Sequence, residues 1–176
     1  IKYTSKMKIG IIGCGNWAKK IINEINLHKK FNLISLVCRD KSFNKKNLEV
    51  YKTIKEMIES NINDCIYVAA EPSVNLEVVN LIKTKKIPII LEKPISNSYK
   101  NIKLLKSITK KHKLFVYPNL TNYFAETFGK IKILINKNSS KIKRIIIYEG
   151  NFGPFRSNIH PIWDWGFHPI SLLYLL

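Results

Sequence analysis

Three short stretches of this chain combine residue types and spacings that can do chemistry. The first is Gly13-Cys14-Gly15-Asn16-Trp17-Ala18, directly after the apolar run from Ile9 to Ile12. A strand, a glycine turn and a helix in that order form a cradle for phosphates. Gly13 allows the tight turn, Gly15 has no Cβ to hold a pyrophosphate off the backbone, and Ala18 lets the helix pack against the strand. The free N–H groups of the helix start, at Asn16, Trp17 and Ala18, then face the phosphate charge, which the helix dipole also favours. The second stretch is Glu92-Lys93-Pro94, at the end of the apolar run Pro88 to Leu91. Ligands of parallel sheets bind at the carboxyl ends of strands, so Lys93 is placed to touch one. The third is Asp164-Trp165-Gly166-Phe167-His168. Asp164 and His168 are four apart and share a face if they share a helix start. Imidazole, with an ordinary pKa of about 6.5, suits proton transfer to or from a reacting oxygen. Asp164 could equally be a helix cap with no chemical role.

The elements that must position these residues alternate regularly. A helix follows the glycine loop, with Ala18, Ile21, Ile22 and Ile25 on one face. Leu33 to Cys38 reads as the second strand, Tyr51 to Ser60 as a short helix and Asp64 to Ala70 as the third strand. Val74 to Lys85 is an amphipathic helix, Pro88 to Leu91 a strand, Ser98 to His112 a helix and Leu114 to Tyr117 a strand. Strands alternating with helices predict an α/β fold: a doubly wound parallel sheet with helices on both faces, over residues 7–118. At the end of the second strand stand Arg39 and Asp40, about 20 positions past the glycines, where a dinucleotide's adenosine ribose is read. An acid there suits the free hydroxyls of NAD, and Arg39 suits the 2′-phosphate of NADP; the residues alone leave both open.

Residues 119–176 differ in character. Tyr123 to Asn136 predicts a helix with Phe124, Phe128, Ile131 and Ile135 inward, and Lys141 to Gly150 predicts a strand. An aromatic-rich irregular stretch, Asn151 to Trp165, leads into an apolar helix from Gly166 to Leu176. His160 in it could touch a ligand, and Trp163 and Trp165 could stack on a ring or equally be aromatics that pack the domain. One strand with a helix on each side cannot bury its own faces, so this half reads as an incomplete substrate domain that self-associates or belongs to a longer polypeptide.

Composition narrows the partners. Thirty Lys+Arg against 12 Asp+Glu give a formal charge of +18 in 176 residues. The excess is mostly lysine spread among Ile and Asn, with no RNA-binding aromatic motif, zinc spacing or arginine-rich arm. A nucleic-acid-binding protein is therefore the minor alternative, and an anionic cofactor profits from the same field. Cys14, Cys38 and Cys65 are odd in number, lie in or beside apolar runs and lack metal-ligand spacing. They read as small core residues in a reducing compartment, and no metal is expected. With no signal peptide and no apolar run long enough to span a bilayer, the chain is expected to be soluble and cytoplasmic, without a membrane partner.

The glycine loop, the placement of Glu92-Lys93-Pro94 and the Asp164-x-Gly166-x-His168 spacing together resemble the Gfo/Idh/MocA (glucose–fructose oxidoreductase, inositol 2-dehydrogenase, rhizopine catabolism) family, from Met7 to Leu176. The resemblance implies a Rossmann-type NAD(P)-binding domain and a C-terminal α/β domain, here truncated. It implies hydride transfer between NAD(P) and a sugar, cyclitol or nucleotide-sugar; the homo-oligomer is expected from the unpartnered strand edges of the second half. Lys93 matches the family's catalytic lysine, and Asp164 and His168 match its second pair of active-site residues. Glu92 and Lys93 would lie by the nicotinamide, with the Lys–Pro bond cis and the substrate between the two domains. Cys38-Arg39 resembles the pattern of NADP-using members, which favours NADP over NAD. Asn75 stands where many members have histidine, and Leu120-Thr121-Asn122 where many carry arginine. A catalytically silent nucleotide-binding fragment is the alternative that the missing C-terminal sheet keeps open.

Overall fold

Six parallel strands make one sheet: β1 (Met7–Ile12), β2 (Phe31–Val37), β3 (Glu49–Tyr51), β4 (Cys65–Val68), β5 (Ile89–Leu91) and β6 (Val116–Pro118). Their order is β3-β2-β1-β4-β5-β6, so the direction of winding reverses beside β1. In open sheets of this kind the crevice at that reversal, outside the strands' carboxyl ends, is where ligands bind. The structure is a computed structural model and describes residues 5–39, 47–150 and 160–176. The chain divides into two compact units, Ile1–Pro118 and Asn119–Leu176.

The first unit has four helices, α1 (Asn16–Leu27), α2 (Ile54–Glu59), α3 (Asn75–Ile82) and α4 (Tyr99–His112). Side chains alternate across a strand, and here both faces are covered. Ile9 and Ile11 of β1 and Cys65 and Tyr67 of β4 pack with Ala18, Ile22 and Ile25 of α1. Their neighbours Ile12, Ile66 and Val68 face the other way, onto Met57 of α2, Val78 and Ile82 of α3 and Leu105 of α4. The doubly wound parallel sheet expected from the alternation is therefore present.

Gly10 has a structural role that the strand pattern hid. A Cβ on it would stand 2.7 Å from both Ser35 Oγ and Asn63 Oδ1. Both side chains are buried, and Ser35 Oγ donates to Asn63 Oδ1 at 2.7 Å. The register of β1 against β2 shifts between Ile9 and Gly10, where this polar pair enters the sheet.

Several boundaries depart from the sequence expectation. The helix expected over Tyr51 to Ser60 starts only at Ile54, because Thr53 and Glu56 form a reciprocal capping box. That frees Glu49–Tyr51 to pair with β2 as an unpredicted strand. A 3-10 turn, Pro72–Val74, takes Val74 from the expected helix, which starts one residue later at Asn75 and ends at Ile82.

The second unit holds α5 (Glu126–Asn138), α6 (Pro161–Asp164) and α7 (Phe167–Leu175). A 3-10 turn over Thr121–Phe124 precedes α5, so Phe124 is exposed and only Phe128 of the expected inward stripe is buried. The strand expected over Lys141 to Gly150 does not form: residues 142–150 are irregular, and Ile142, Ile145, Ile147 and Tyr148 are exposed. A strand needs a hydrogen-bonded neighbour, and no strand lies in this unit among its described residues. Where described, the incomplete α/β domain expected here consists of helices and irregular chain, without a strand. Of the aromatic stretch, residues 151–159 lie outside the described residues. No helix among the described residues is long and apolar enough to cross a membrane.

Gly10→Ala should destabilise the first unit by about 1–3 kcal/mol, since overpacking must displace the Ser35–Asn63 pair. Gly129, inside α5 with open space at its Cβ position, should respond oppositely, Gly129→Ala gaining up to about 1 kcal/mol. Urea unfolding of both variants tests the contrast.

Candidate functional site

The β1–α1 turn is held between the ends of two strands. Gly13 adopts φ +110°, a region side chains avoid, and a Cβ there would lie 2.4 Å from Ala69 O. Gly13 N donates to Val37 O at 3.0 Å and Ala69 N to Ile12 O at 2.8 Å. Gly15 is the N-cap of α1, and a Cβ built on it meets nothing within 4 Å. No side chain caps the helix and no acid stands in its first turn, so the start of α1 presents uncapped N–H groups and the positive end of a 12-residue dipole. Asn16 and Trp17 are exposed, whereas Ala18 is fully buried against the sheet.

Glu92 follows β5, its N–H donating to Val68 O at 3.0 Å. Its carboxylate gathers three donors. Oε1 accepts from Trp17 Nε1 at 2.6 Å and from the Tyr67 hydroxyl, and Oε2 accepts from Lys93 N at 3.2 Å. The start of α1, the core of β4 and the turn after β5 are thereby joined through one side chain. Tyr67 was not singled out from the sequence. Its signal was a tyrosine inside an apolar strand run, since a buried hydroxyl needs a partner. Lys93 is half-buried, and the Lys93–Pro94 bond is cis. Asn75, buried at the start of α3, donates from Nδ2 to Ile95 O at 2.8 Å and so pins the loop after Pro94.

The cysteine expectation needs correction. Cys14, in the glycine loop, and Cys38, just past β2, are joined in a disulfide, with Cα atoms 5.5 Å apart. Neighbouring parallel strands bring their carboxyl-end loops together, so two cysteines 24 residues apart in sequence meet. Cys65 is the buried free cysteine, and burial pushes its thiol up to about 11. Arg39 is exposed beside Cys38, and Asp40 lies outside the described residues. Among the described residues no cluster of ligating side chains could hold a metal.

In the second unit Asp164 is buried and ends α6, while His168 lies in α7. They do not share one helix, so the condition under which the four-residue spacing puts them on one face is not met. A turn at Trp165–Gly166 intervenes, and Gly166 is required there because a Cβ would lie 2.5 Å from Ile162 O. His160 caps α6, its Nδ1 accepting from Ile162 N at 3.3 Å. Trp163 and Trp165 are half-buried.

The family model for Gfo/Idh/MocA proteins, described as an oxidoreductase family with an NAD-binding Rossmann fold, matches residues 7–120. The chain belongs to this family. Its first unit is the NAD-binding Rossmann fold of the Gfo/Idh/MocA proteins. Among solved structures, the chain is similar to a Magnetospirillum magnetotacticum MS-1 protein described as an oxidoreductase. The TM-score is 0.79 at 19% identity, covering 96% of this chain and 56% of that one. Scyllo-inositol dehydrogenase from Lactobacillus casei, solved with NAD(H) and scyllo-inositol, gives a TM-score of 0.70 at 17% identity, over 77% of this chain and 42% of that one. The WlbA dehydrogenase from Chromobacterium violaceum, in complex with NADH and UDP-GlcNAcA, gives 0.69 at 13%, over 77% and 41%. The chain thus spans between about two fifths and just over half of these structures' lengths. No curated protein sequence matches it.

In this Gfo/Idh/MocA chain Trp17 and Glu92 should be energetically coupled. A double-mutant cycle of Trp17→Phe and Glu92→Gln, read by urea unfolding, should give a coupling of about 0.5–1.5 kcal/mol. Additive losses would mean that the Nε1–carboxylate bond contributes nothing to the loop.

Proposed function

We propose that the chain is the dinucleotide-binding part of an oxidoreductase that moves a hydride between NAD(P) and a sugar, cyclitol or nucleotide-linked sugar. The observation that carries this reading is the uncapped start of α1 beneath an open Gly15, at the reversal point of the sheet. These residues fit a dinucleotide: a Cβ at Gly15 would fill the space a pyrophosphate needs. In this reading Gly13, Gly15, Asn16, Trp17 and Ala18 hold the pyrophosphate. Arg39 and Asp40 meet the adenosine ribose, and Glu92 and Lys93 border the nicotinamide half. The neighbours solved with NADH and UDP-GlcNAcA or with NAD(H) and scyllo-inositol support the substrate class.

The nicotinamide, when bound, supplies the hydride acceptor or donor. This chain's residues then have to handle the proton of the reacting oxygen. Lys93, just past the carboxyl end of β5, orients and polarises that oxygen. His168 gives or takes the proton, and Asp164 orients substrate hydroxyls or the imidazole. NADP is the preferred cofactor in this reading, because the Arg39 guanidinium can pair with a 2′-phosphate. A cytoplasmic setting and self-association, through the apolar residues that α5 exposes, belong to the same reading. The second reading is a catalytically silent dinucleotide-binding chain. It is favoured by a second unit without a strand among its described residues.

Titration with NADPH and NADH tests the cradle. Gly15→Val should abolish binding of both. Arg39→Ala should cost NADPH roughly tenfold or more, the worth of a charge-assisted contact of about 1.5–3 kcal/mol, and leave NADH nearly unchanged. A parent chain that prefers NADH would overturn the role given to Arg39.

Turnover on a panel of polyols and sugars separates the two readings. In an active preparation His168→Ala and Lys93→Ala should each lower kcat by about 10²–10⁴-fold with cofactor affinity held. Full turnover in either variant would remove that residue from the mechanism.

A further inference from the structure

The disulfide between Cys14 and Cys38 lies inside the dinucleotide cradle, and nothing in hydride transfer requires it. Cys14 sits between the two glycines of the loop and is half-buried, and Cys38 at the end of β2 is buried behind it. Their Cα separation of 5.5 Å falls at the usual value for a bonded pair. The backbone bond from Gly13 N to Val37 O already fixes this turn to this strand end. The two sulfurs therefore stay neighbours whether or not they are bonded, and the bond can open and close without rebuilding the loop. When reduced, Cys14 immediately precedes the N-cap of α1, where the helix dipole favours a thiolate. It is also the member of the pair with solvent access.

We propose that Cys14 and Cys38 are a redox-active thiol pair stapling the phosphate loop to the end of β2, and that a dinucleotide seated over Gly15 shields the pair from exchange. The shielding half rests on the dinucleotide reading above. In the closing direction the Cys14 thiolate attacks a small disulfide of the glutathione type. One sulfur–sulfur bond breaks, one thiolate leaves and a mixed disulfide forms on Cys14. Cys38, its proton lost to solvent, then attacks Cys14 Sγ and expels the second small thiolate. Two protein thiols are oxidised and one small disulfide is reduced to two thiols. Cys38 thus clears an adduct that would otherwise stand where the pyrophosphate belongs. Cys65 takes no part, because it is buried in the face packed on α1 and its thiol is held protonated.

The purified chain is equilibrated in glutathione buffers of graded ratio, alkylated and weighed by mass spectrometry. Cys14 and Cys38 should gain or lose their labels together in one two-thiol step, independent of Cys65. Labels appearing one at a time, or a bond that persists through every reducing ratio, would overturn the redox pair. Cys38→Ser should trap glutathione on Cys14 and lose NADH binding until the adduct is reduced, whereas Cys14→Ser should take up little glutathione. Equal uptake by both variants would overturn the roles given to the two sulfurs. The rate of reduction by glutathione is then followed with NADH at ten times its separately measured Kd. Exchange should slow roughly tenfold, the share of time the loop is then vacant. An unchanged rate with NADH demonstrably bound would overturn the shielding alone. Absence of NADH binding would overturn the dinucleotide reading and the shielding together, while the two-thiol step would still stand or fall on its own measurement.

Discussion

The structure of the first unit depends on one close approach, that of the Gly13 backbone to the carbonyl of Ala69. With 2.4 Å between a would-be Cβ and that oxygen, any side chain at Gly13 would push β1's end away from β4's. Backbone bonds from Gly13 N to Val37 O and from Ala69 N to Ile12 O hold the ends of β2, β1 and β4 at one level. The chain can therefore turn straight from strand to helix, with α1 starting at the sheet's carboxyl edge rather than beyond it. That placement directs the positive end of α1 into the crevice where the strand order reverses. The absence of a side chain at Gly15 leaves that end open, so the two glycines do different jobs two residues apart. One permits the backbone path, and the other keeps space clear above it.

Much of this was legible because it follows from local rules. Apolar runs of strand length separated by helix-period segments give a parallel sheet, and the glycine loop marks the turn from β1 into α1. The failures have equally local causes. The apolar positions after Tyr51 have helical period and carry the expected helix back over it, whereas the capping box at Thr53 and Glu56 sets the start at Ile54. The Cys14–Cys38 bond joins loops of adjacent strands and leaves no mark in the sequence. Sequence spacing shows which strands are consecutive, but not how near two particular Cα atoms come. Glu92 was picked out for its motif, yet its grip on Tyr67 and Trp17 depends on the β4–β5 pairing, a property of the sheet rather than of any segment.

That grip gives the first unit a mechanical property. Trp17 stands in the first turn of α1, Tyr67 in β4 and Glu92 just past β5, so one carboxylate spans three successive parts of the crevice wall. Its other oxygen holds the amide of Lys93, and Asn75 holds Ile95 two residues beyond. The turn carrying Lys93 is therefore fixed on both sides. Asn75 is buried at the start of α3. In this chain it acts through its amide donor on the backbone.

The second unit was harder to read for a reason that concerns burial rather than pattern. Periodicity identifies a face only where a core exists to receive it. In the first unit both faces of the sheet are covered, and the predicted inward residues are inward. In the second, α5 exposes Ile131, Ile133 and Leu134, and α7 exposes Ile170, Leu173 and Tyr174, while Phe128 is the buried residue of α5. Among the described residues of this unit, no layer covers the apolar stripe and fixes its phase. The helix start is set by local backbone preference instead, three residues later than the stripe implied. The same holds for Asp164 and His168. Spacing by four would align them on a continuous helix, but Gly166 packs so tightly on the Ile162 carbonyl that the chain turns between them. Their relation is set by that turn, through the way α6 and α7 present them, and not by helical period.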